Sequence, residues 1–437
     1  MKSIELESEL KIRYLVIKVA SRCNLNCTYC YMYNLGDTTY LKQPKVMSKK
    51  VVDATISKAI SHCKRKGIDF FVFSFHGGEP LLAGKPFFKY FVEQAREKFL
   101  PEGIQPYFAL QTNGVLLTED WCHHFSSLGI EITISLDGDK ETNDNYRIDH
   151  KGKGSYDRIV KGLRIAQKSM FNVPPPGILS VIDVFSDPIK VYNHFKELDI
   201  HWFDLNHPDA NYDALPPGYD SSPEVTPYAD WLIKMFDLWF SEKRENKKPQ
   251  IRLFEDIVKS VLGSMQSTDA LGNHRSEVLV IETDGGLEAV DTLKVCGDGF
   301  TKNNLNILNN EFDEVFQDDL VELYENSHAM LPAKCLVCPI KDICGGGYIP
   351  HRYSSKNGFN NPSIYCNDWL KFILHVRNKV IGILPEKDRT ENNLNVIEYS
   401  EALDIIEYLE QDYVSPYTDA LEKFKKTEQS IKEAILV

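Results

Sequence analysis

No apolar run in the 437-residue chain reaches the roughly 18 residues that a membrane-spanning helix needs. The start also lacks a signal-peptide core and a small-residue cleavage site, because Lys11, Arg13 and Lys18 interrupt its only apolar stretch. Both absences point to a cytoplasmic protein without a membrane partner. An excess of positive charge is missing too. The formal net charge of −13 disfavours nucleic acid as a partner, since such binding depends on Lys and Arg neutralising phosphates. There is no internal repeat and no low-complexity tract.

What is present is an ordinary soluble composition, 43% apolar and 26% charged, in a chain too long for one core. Ten cysteines in a large cytoplasmic chain do not read as a disulfide framework. Seven of them fall into two tight patterns. Cys63 and Cys122 stand alone in helical segments and read as buried thiols, and Cys296 also stands alone.

From residue 12 to about 206, apolar runs alternate with amphipathic stretches. "YLVIKVA", "FFVFSFHG", "PYFALQTNG", "IEITISLDG", "GILSVID" and "IHWFDLN" read as strands, and Ser48 is an N-cap candidate for the helix after the first. Six such units predict an α/β fold, a partial (β/α)6 TIM-like barrel over residues 1–210. The stretch "HPDANYDALPPGYDSSPEVTP" reads as a boundary loop, opening a helical linker over 211–274 with the helices "YADWLIKMFDLWFSEK" and "IRLFEDIVKSVLGSM". A second cysteine-bearing domain is expected over 275–370, opened by a hairpin turning at Asp284–Gly286, and a helical tail over 371–437.

Cys23, Cys27 and Cys30 follow the first strand directly, at the barrel mouth where active sites gather. Three thiolates can hold three irons of a [4Fe–4S] cluster, whereas zinc would need a fourth ligand. The next strands end in "SFHGGEP", "LQTNG" and "ISLDG", which bring Gly77, Gly78, Glu79, Thr112, Asn113, Ser135 and Asp137 to the same mouth. The glycines would let backbone approach a ligand closely. Cys335, Cys338, Cys344 and Cys366 form the second set, which by spacing alone fits a zinc knot or an iron–sulfur cluster equally well.

Taken together, "CNLNCTYC", "GGEP", "TNG" and "SLDG" resemble the radical S-adenosylmethionine (SAM) enzymes. The resemblance implies that Cys23, Cys27 and Cys30 hold a [4Fe–4S] cluster whose open iron binds SAM. Tyr29 would lie against the adenine through its backbone. Gly77, Gly78, Glu79 and Pro80 would accept from the methionine amino group. Ser135 and Asp137 would serve the carboxylate and ribose, with Arg147 a further carboxylate candidate. The second set resembles a SPASM extension and implies one closed auxiliary [4Fe–4S] cluster on Cys335, Cys338, Cys344 and Cys366. A full SPASM domain has more cysteines; here Tyr348 stands where another would fall, and Asp291 near where a hairpin cysteine would. A second auxiliary cluster is therefore not expected.

With "GGGYIPHRYSSKNGFNNPSIYC", the chain is similar to peptide maturases that form cyclophanes, joining an aromatic ring carbon to the β-carbon of a nearby residue. That likeness implies a ribosomally made precursor peptide as substrate and an external electron donor such as flavodoxin or ferredoxin. Only about a dozen residues precede the first strand, so leader recognition is expected from the tail, the SPASM face or a separate protein. His351, Arg352 and Tyr353 are candidates to hydrogen-bond the peptide, Asp291 for a proton acceptor, and Cys296 for a thiol facing substrate or simple packing. The alternatives are a sulfatase-type formylglycine maturase, which usually has seven such cysteines against five here, a thioether-forming or epimerising enzyme, and, remotely, a non-catalytic iron–sulfur scaffold.

Overall fold

The computed structural model describes residues 10–243, 248–264 and 268–426. Residue 265, the end of the second linker helix, and 427–437 of the tail lie outside the described residues. No described helix is long and apolar enough to cross a membrane.

Six parallel strands form where the apolar runs predict them: β1 (Tyr14–Ala20), β2 (Phe70–Gly77), β3 (Gln105–Thr112), β4 (Ile130–Ser135), β5 (Gly177–Val181) and β6 (Trp202–Asn206). Helices cross between them: α1 (Lys49–Lys66), α2 (Lys85–Phe99), α3 (Glu119–Leu128), α4 (Lys140–Tyr146), α5 (Tyr156–Ser169) and α6 (Pro188–Glu197). Ser48 does cap α1, accepting from Val51 N at 3.3 Å. The outer face of β2 buries Phe71, Phe73 and Phe75 against Phe88, Phe91 and Phe99 of α2. The opposite face carries Ser74 and His76, so β2 is not apolar on both sides as its composition suggests.

The sheet does not stop at six strands. β7 (Gln250–Ile251) extends it beside β6, and β8 (Val278–Ile281) runs parallel beside β1, with Ile17 opposite Ile281. The strand order is β7-β6-β5-β4-β3-β2-β1-β8-β9, where β9 (Leu287–Glu288) returns antiparallel to β8 through the expected turn. The hairpin expected to open a separate domain at 275 is thus part of the barrel sheet. Its strand reads as independent in sequence because parallel pairing with β1 is entirely non-local. The boundary expected at 370 also needs correction. Helix Cys366–Ile383 runs through it and packs on Pro227–Ser241 and Arg252–Val261, so the second cysteine region and the start of the tail share one core.

Candidate active site

The cysteine loop leaves β1 at Ala20 and is pinned on two sides. Gly78 N donates to Ala20 O at 2.8 Å and Glu79 N to Arg22 O at 2.9 Å; Asn26 N and Thr28 N donate to Ile148 O and Tyr146 O at 2.8 and 2.9 Å. A Cβ on Gly77 would lie 2.2 Å from Ala20 O, and one on Gly78 2.0 Å from the Tyr33 hydroxyl. These glycines are needed for the approach of β2 to the cysteine loop, rather than for the approach of a ligand as the sequence reading has it.

The polar strand ends hold one another. Glu79 is fully buried. Its Oε1 accepts from Leu81 N at 3.1 Å and Thr112 Oγ1 at 2.8 Å, and its Oε2 from Asn113 N at 2.9 Å. Both oxygens are therefore engaged within the fold. Pro80 opens a short 3-10 turn, Pro80–Ala83. Asn113 Nδ2 donates to Asn24 Oδ1 at 2.8 Å, beside Cys23. Gln111 Nε2 donates to Ser135 Oγ at 2.8 Å. Asp137 accepts from the Tyr29 hydroxyl and from Val181 N, and Arg147 Nη1 donates to Tyr29 Oη at 2.8 Å. Tyr29 thus acts through its side chain, linking two residues named separately from the sequence. Arg147 sits just beyond α4, a helix the sequence pattern did not show; its buried Nε has no partner.

The first three thiols lie within electrostatic reach of one another. Burial, with Glu79 nearby, pushes Cys23 up to about 12, and burial with Cys27 does the same for Cys30. Backbone amides already point at the sulfurs: Leu25 N at Cys23, and those of Met32 and Tyr33 at Cys30.

Cys335, Cys338, Cys344 and Cys366 line one small apolar cavity with Ile340, Leu370 and Ile406. Gly345, Gly346 and Gly347 follow with φ of 59°, 78° and 69°, three left-handed residues in a row. The chain wraps tightly there, and the amides of Gly346 and Gly347 point at Cys344 Sγ. A Cβ on Gly345 would lie 1.6 Å from Gly272 O. The four thiols thus share the wall of one cavity, although they lie up to 31 positions apart in the chain.

The residues expected to touch substrate separate. His351 lines the central cavity. Arg352 does not: it is fully buried, donates from Nη1 to Ser327 O at 3.1 Å and Met330 O at 3.3 Å, and lies beside Cys335 and Cys344. Tyr353 packs against Phe300 and Phe359. Their 3-10 turn, Ile349–Arg352, sends successive side chains in different directions. Cys296 is buried near Tyr353 and lines neither of these cavities, which is the packing reading.

The central cavity has a volume of about 520 Å³. Tyr14 and Val16 of β1, Leu179 and Val181 of β5, His76, His207, Asp209, Asp291, Tyr348 and Trp369 contribute to its wall. Asp291 accepts from Lys18 and Tyr31 of the cysteine-bearing segment rather than from hairpin amides. Burial alone would raise its carboxyl, but Lys18, His76 and Tyr31 hold it down at about 2. Asp209 is the reverse: burial and the Asp291 charge push it up to about 7. Sequence reading missed Asp209 and His207, because both lie in the stretch taken for a boundary loop. The available signal was position, directly after β6 at the barrel mouth. Tyr348, at the place of the absent cysteine, also lines this cavity and shares a 2.6 Å hydrogen bond with Thr292.

Residues 17–186 match the family model described as the radical SAM superfamily. The chain is 27% identical over 369 residues to the cysteine-type anaerobic sulfatase-maturating enzyme of Clostridium novyi, covering 82% of this chain and 93% of that one. Its fold is similar to the solved structure of native anSMEcpe with bound AdoMet (TM-score 0.70, 24% identity, 85% and 98% of the two chains). It is also similar to Streptococcus suis SuiB bound to precursor peptide SuiA (TM-score 0.51, 17% identity, 78% and 72%).

Proposed function

We propose that the chain is a radical SAM enzyme using SAM and [4Fe–4S] clusters, and that it modifies a ribosomally made precursor peptide by joining an aromatic ring to a β-carbon. Cys23, Cys27 and Cys30 would hold the SAM-binding cluster, and Cys335, Cys338, Cys344 and Cys366 the auxiliary one. When bound, SAM and its cluster supply a 5′-deoxyadenosyl radical that takes hydrogen from substrate.

The central cavity carries this reading. It presents two carboxyl groups tuned in opposite directions, Asp291 held ionised and Asp209 pushed up to about 7 by burial and the Asp291 charge. Once hydrogen has been taken from the β-carbon, attack of that carbon on the ring releases a ring proton and leaves one electron, which the auxiliary cluster would accept. Asp291, kept ionised by Lys18, holds Asp209 near neutrality, and Asp209 accepts that proton. The barrel strands and Trp369 wall the cavity around these carboxyl groups. An external electron donor of the flavodoxin or ferredoxin class completes the system, and leader recognition falls to the tail, the cluster face or a separate protein.

A second reading has its own support. The likeness to the Clostridium novyi enzyme extends over most of both chains and favours formylglycine formation on a sulfatase-type sequence. Coexpression with the short peptide encoded nearest the gene, followed by mass spectrometry, separates the two. Loss of two hydrogens per aromatic motif supports crosslinking. Loss of sulfur from a cysteine-containing sulfatase peptide, with the precursor unchanged, overturns it. Failure of the anaerobically reconstituted protein to cleave SAM under dithionite overturns both.

A further inference from the structure

An unbroken run of covalent and hydrogen-bonded groups joins the two cysteine sets. Tyr31 follows Cys30 directly in the chain, and its hydroxyl donates to Asp291. Thr292 comes next, and its Oγ1 shares a 2.6 Å hydrogen bond with the Tyr348 hydroxyl. Tyr348 leads back to Cys344 through Gly345, Gly346 and Gly347. A second branch leaves from the Tyr348 ring. That ring is centred 5.5 Å from His351, the His351 ring lies 4.9 Å from Tyr365, and Tyr365 directly precedes Cys366. Tyr31 and Asp291 are 260 positions apart, and Thr292 and Tyr348 are 56 apart, so the run exists only in the folded chain.

Both branches share the hydrogen bond between Thr292 and Tyr348. Tyr31, Asp291, Thr292, Tyr348 and His351 all line the central cavity. We propose that this run carries electrons between the two cluster sites, with the Thr292–Tyr348 hydrogen bond as its common link. The inference rests on the radical SAM reading and adds to it the route by which the electron left on substrate returns to the Cys23, Cys27 and Cys30 site.

Electrons tunnel more readily through covalent bonds, hydrogen bonds and ring contacts than across unfilled space. The run offers those three without a break. Its first half is also held in one geometry, because Lys18 donates both to Asp291 and, at 3.1 Å, to Tyr31 Oη. Fixed polar groups need little reorganisation when charge passes. Tyr348 stands at the place of the absent cysteine, so side chains bridge from the cavity to the second cysteine set.

Electrons balance over a turnover. SAM cleavage draws one electron from the first cluster site. Hydrogen abstraction, ring attack and loss of the ring proton leave one electron on the adduct. The adduct is oxidised to product, the cluster at the second site is reduced, and the run returns that electron to the first site. An external donor then supplies only the electron that starts the cycle.

The test needs no peptide. Reconstituted holoenzyme with both clusters oxidised receives a substoichiometric dose of electrons from a deazaflavin flash, and freeze-quenched EPR follows where they sit. Cys23→Ala and Cys335→Ala proteins give the reference spectrum of each remaining cluster. In the wild type one signal is expected to decay as the other grows, at a rate independent of protein concentration. Thr292→Val keeps the side-chain shape and removes the hydroxyl. It should abolish the concentration-independent phase while both spectra and both potentials stay unchanged, and Thr292→Ser should restore it. Tyr348→Phe breaks the same link from the other side and serves if Thr292→Val does not fold. The double variant should be no slower than either single one, since both remove one shared interaction. Absence of the phase in the wild type, or its survival in a folded variant, overturns the route. SAM cleavage by the wild type is read separately: cleavage without intramolecular transfer removes the route alone, whereas absence of cleavage removes the enzyme reading.

Discussion

Lys18 and Asp291, 273 positions apart, form a buried ion pair at the barrel mouth, with side chains 0% and 7% exposed. Lys18 also donates to the Tyr31 hydroxyl at 3.1 Å, and His76 lies close enough that burial and the Lys18 charge push it down to about 4. Burial and this cation of β1 together set the protonation of three neighbours. The cation keeps Asp291 ionised, joins burial in keeping His76 neutral and, through Asp291, raises Asp209.

Lys18→Met removes the cation and leaves Asp291 charged and buried. A loss of about 3–5 kcal/mol is expected, because desolvation of the remaining partner is no longer offset. Lys18→Met with Asp291→Leu should recover most of it, read as coupling in a denaturant double-mutant cycle. The carboxyl of Asp291 lies below its ordinary 3.8, so its contribution is present above that pH and lost as pH falls through about 2.

Crosslinking should depend on pH through Asp209. Protonated below about 7, it cannot accept a proton; above that it can, so the rate should rise through neutrality. Of the other groups on this cavity, Asp291 stays ionised and His76, His207 and His351 stay neutral through that range, so these four do not supply the limb. Asp209→Asn should abolish the limb and lower the rate by roughly a hundredfold or more. An unchanged profile would remove Asp209 from the chemistry.

Metal analysis reads the two cysteine sets separately. Reconstituted wild-type protein should carry about eight irons per chain, two clusters' worth. Cys23→Ala and Cys335→Ala should each bring this to about four, and only the first should abolish SAM cleavage. Zinc in place of the second four irons would overturn the auxiliary-cluster assignment.

Arg352 should tune the auxiliary cluster. Burial lowers it only to about 10, so it remains a cation beside Cys335 and Cys344, with Nε and Nη2 unpaired. Positive charge and donated hydrogen bonds favour the reduced cluster. Arg352→Gln is expected to lower its potential by roughly 60 mV, the one-electron equivalent of one hydrogen bond. An EPR redox titration measures this, and Arg352→Lys should restore part of the shift.

Strands, crossover helices and both cysteine sets were legible because each is written locally. Val, Ile and Phe runs, Gly and Asn turns and short cysteine spacings state their meaning within ten or so residues. The short helix α4 was not legible, because "KETNDNY" carries no apolar stripe; its cap at Asp139 forms through Thr142. Nor was β8 legible as a barrel strand, since its partner β1 is more than 250 residues away.

The amino-acid sequence by itself determined the barrel class, the ligand sets and the identity of the polar residues at the strand ends. Tertiary structure alone decided what those residues face. Glu79 accepts from Thr112 and Asn113, adjacent His351 and Arg352 face the central cavity and the thiols of Cys335 and Cys344, and His207 and Asp209 leave an apparent linker to wall the lumen. Side-chain direction at a turn depends on backbone dihedrals and on packing from distant elements, and neither is carried by spacing along the chain.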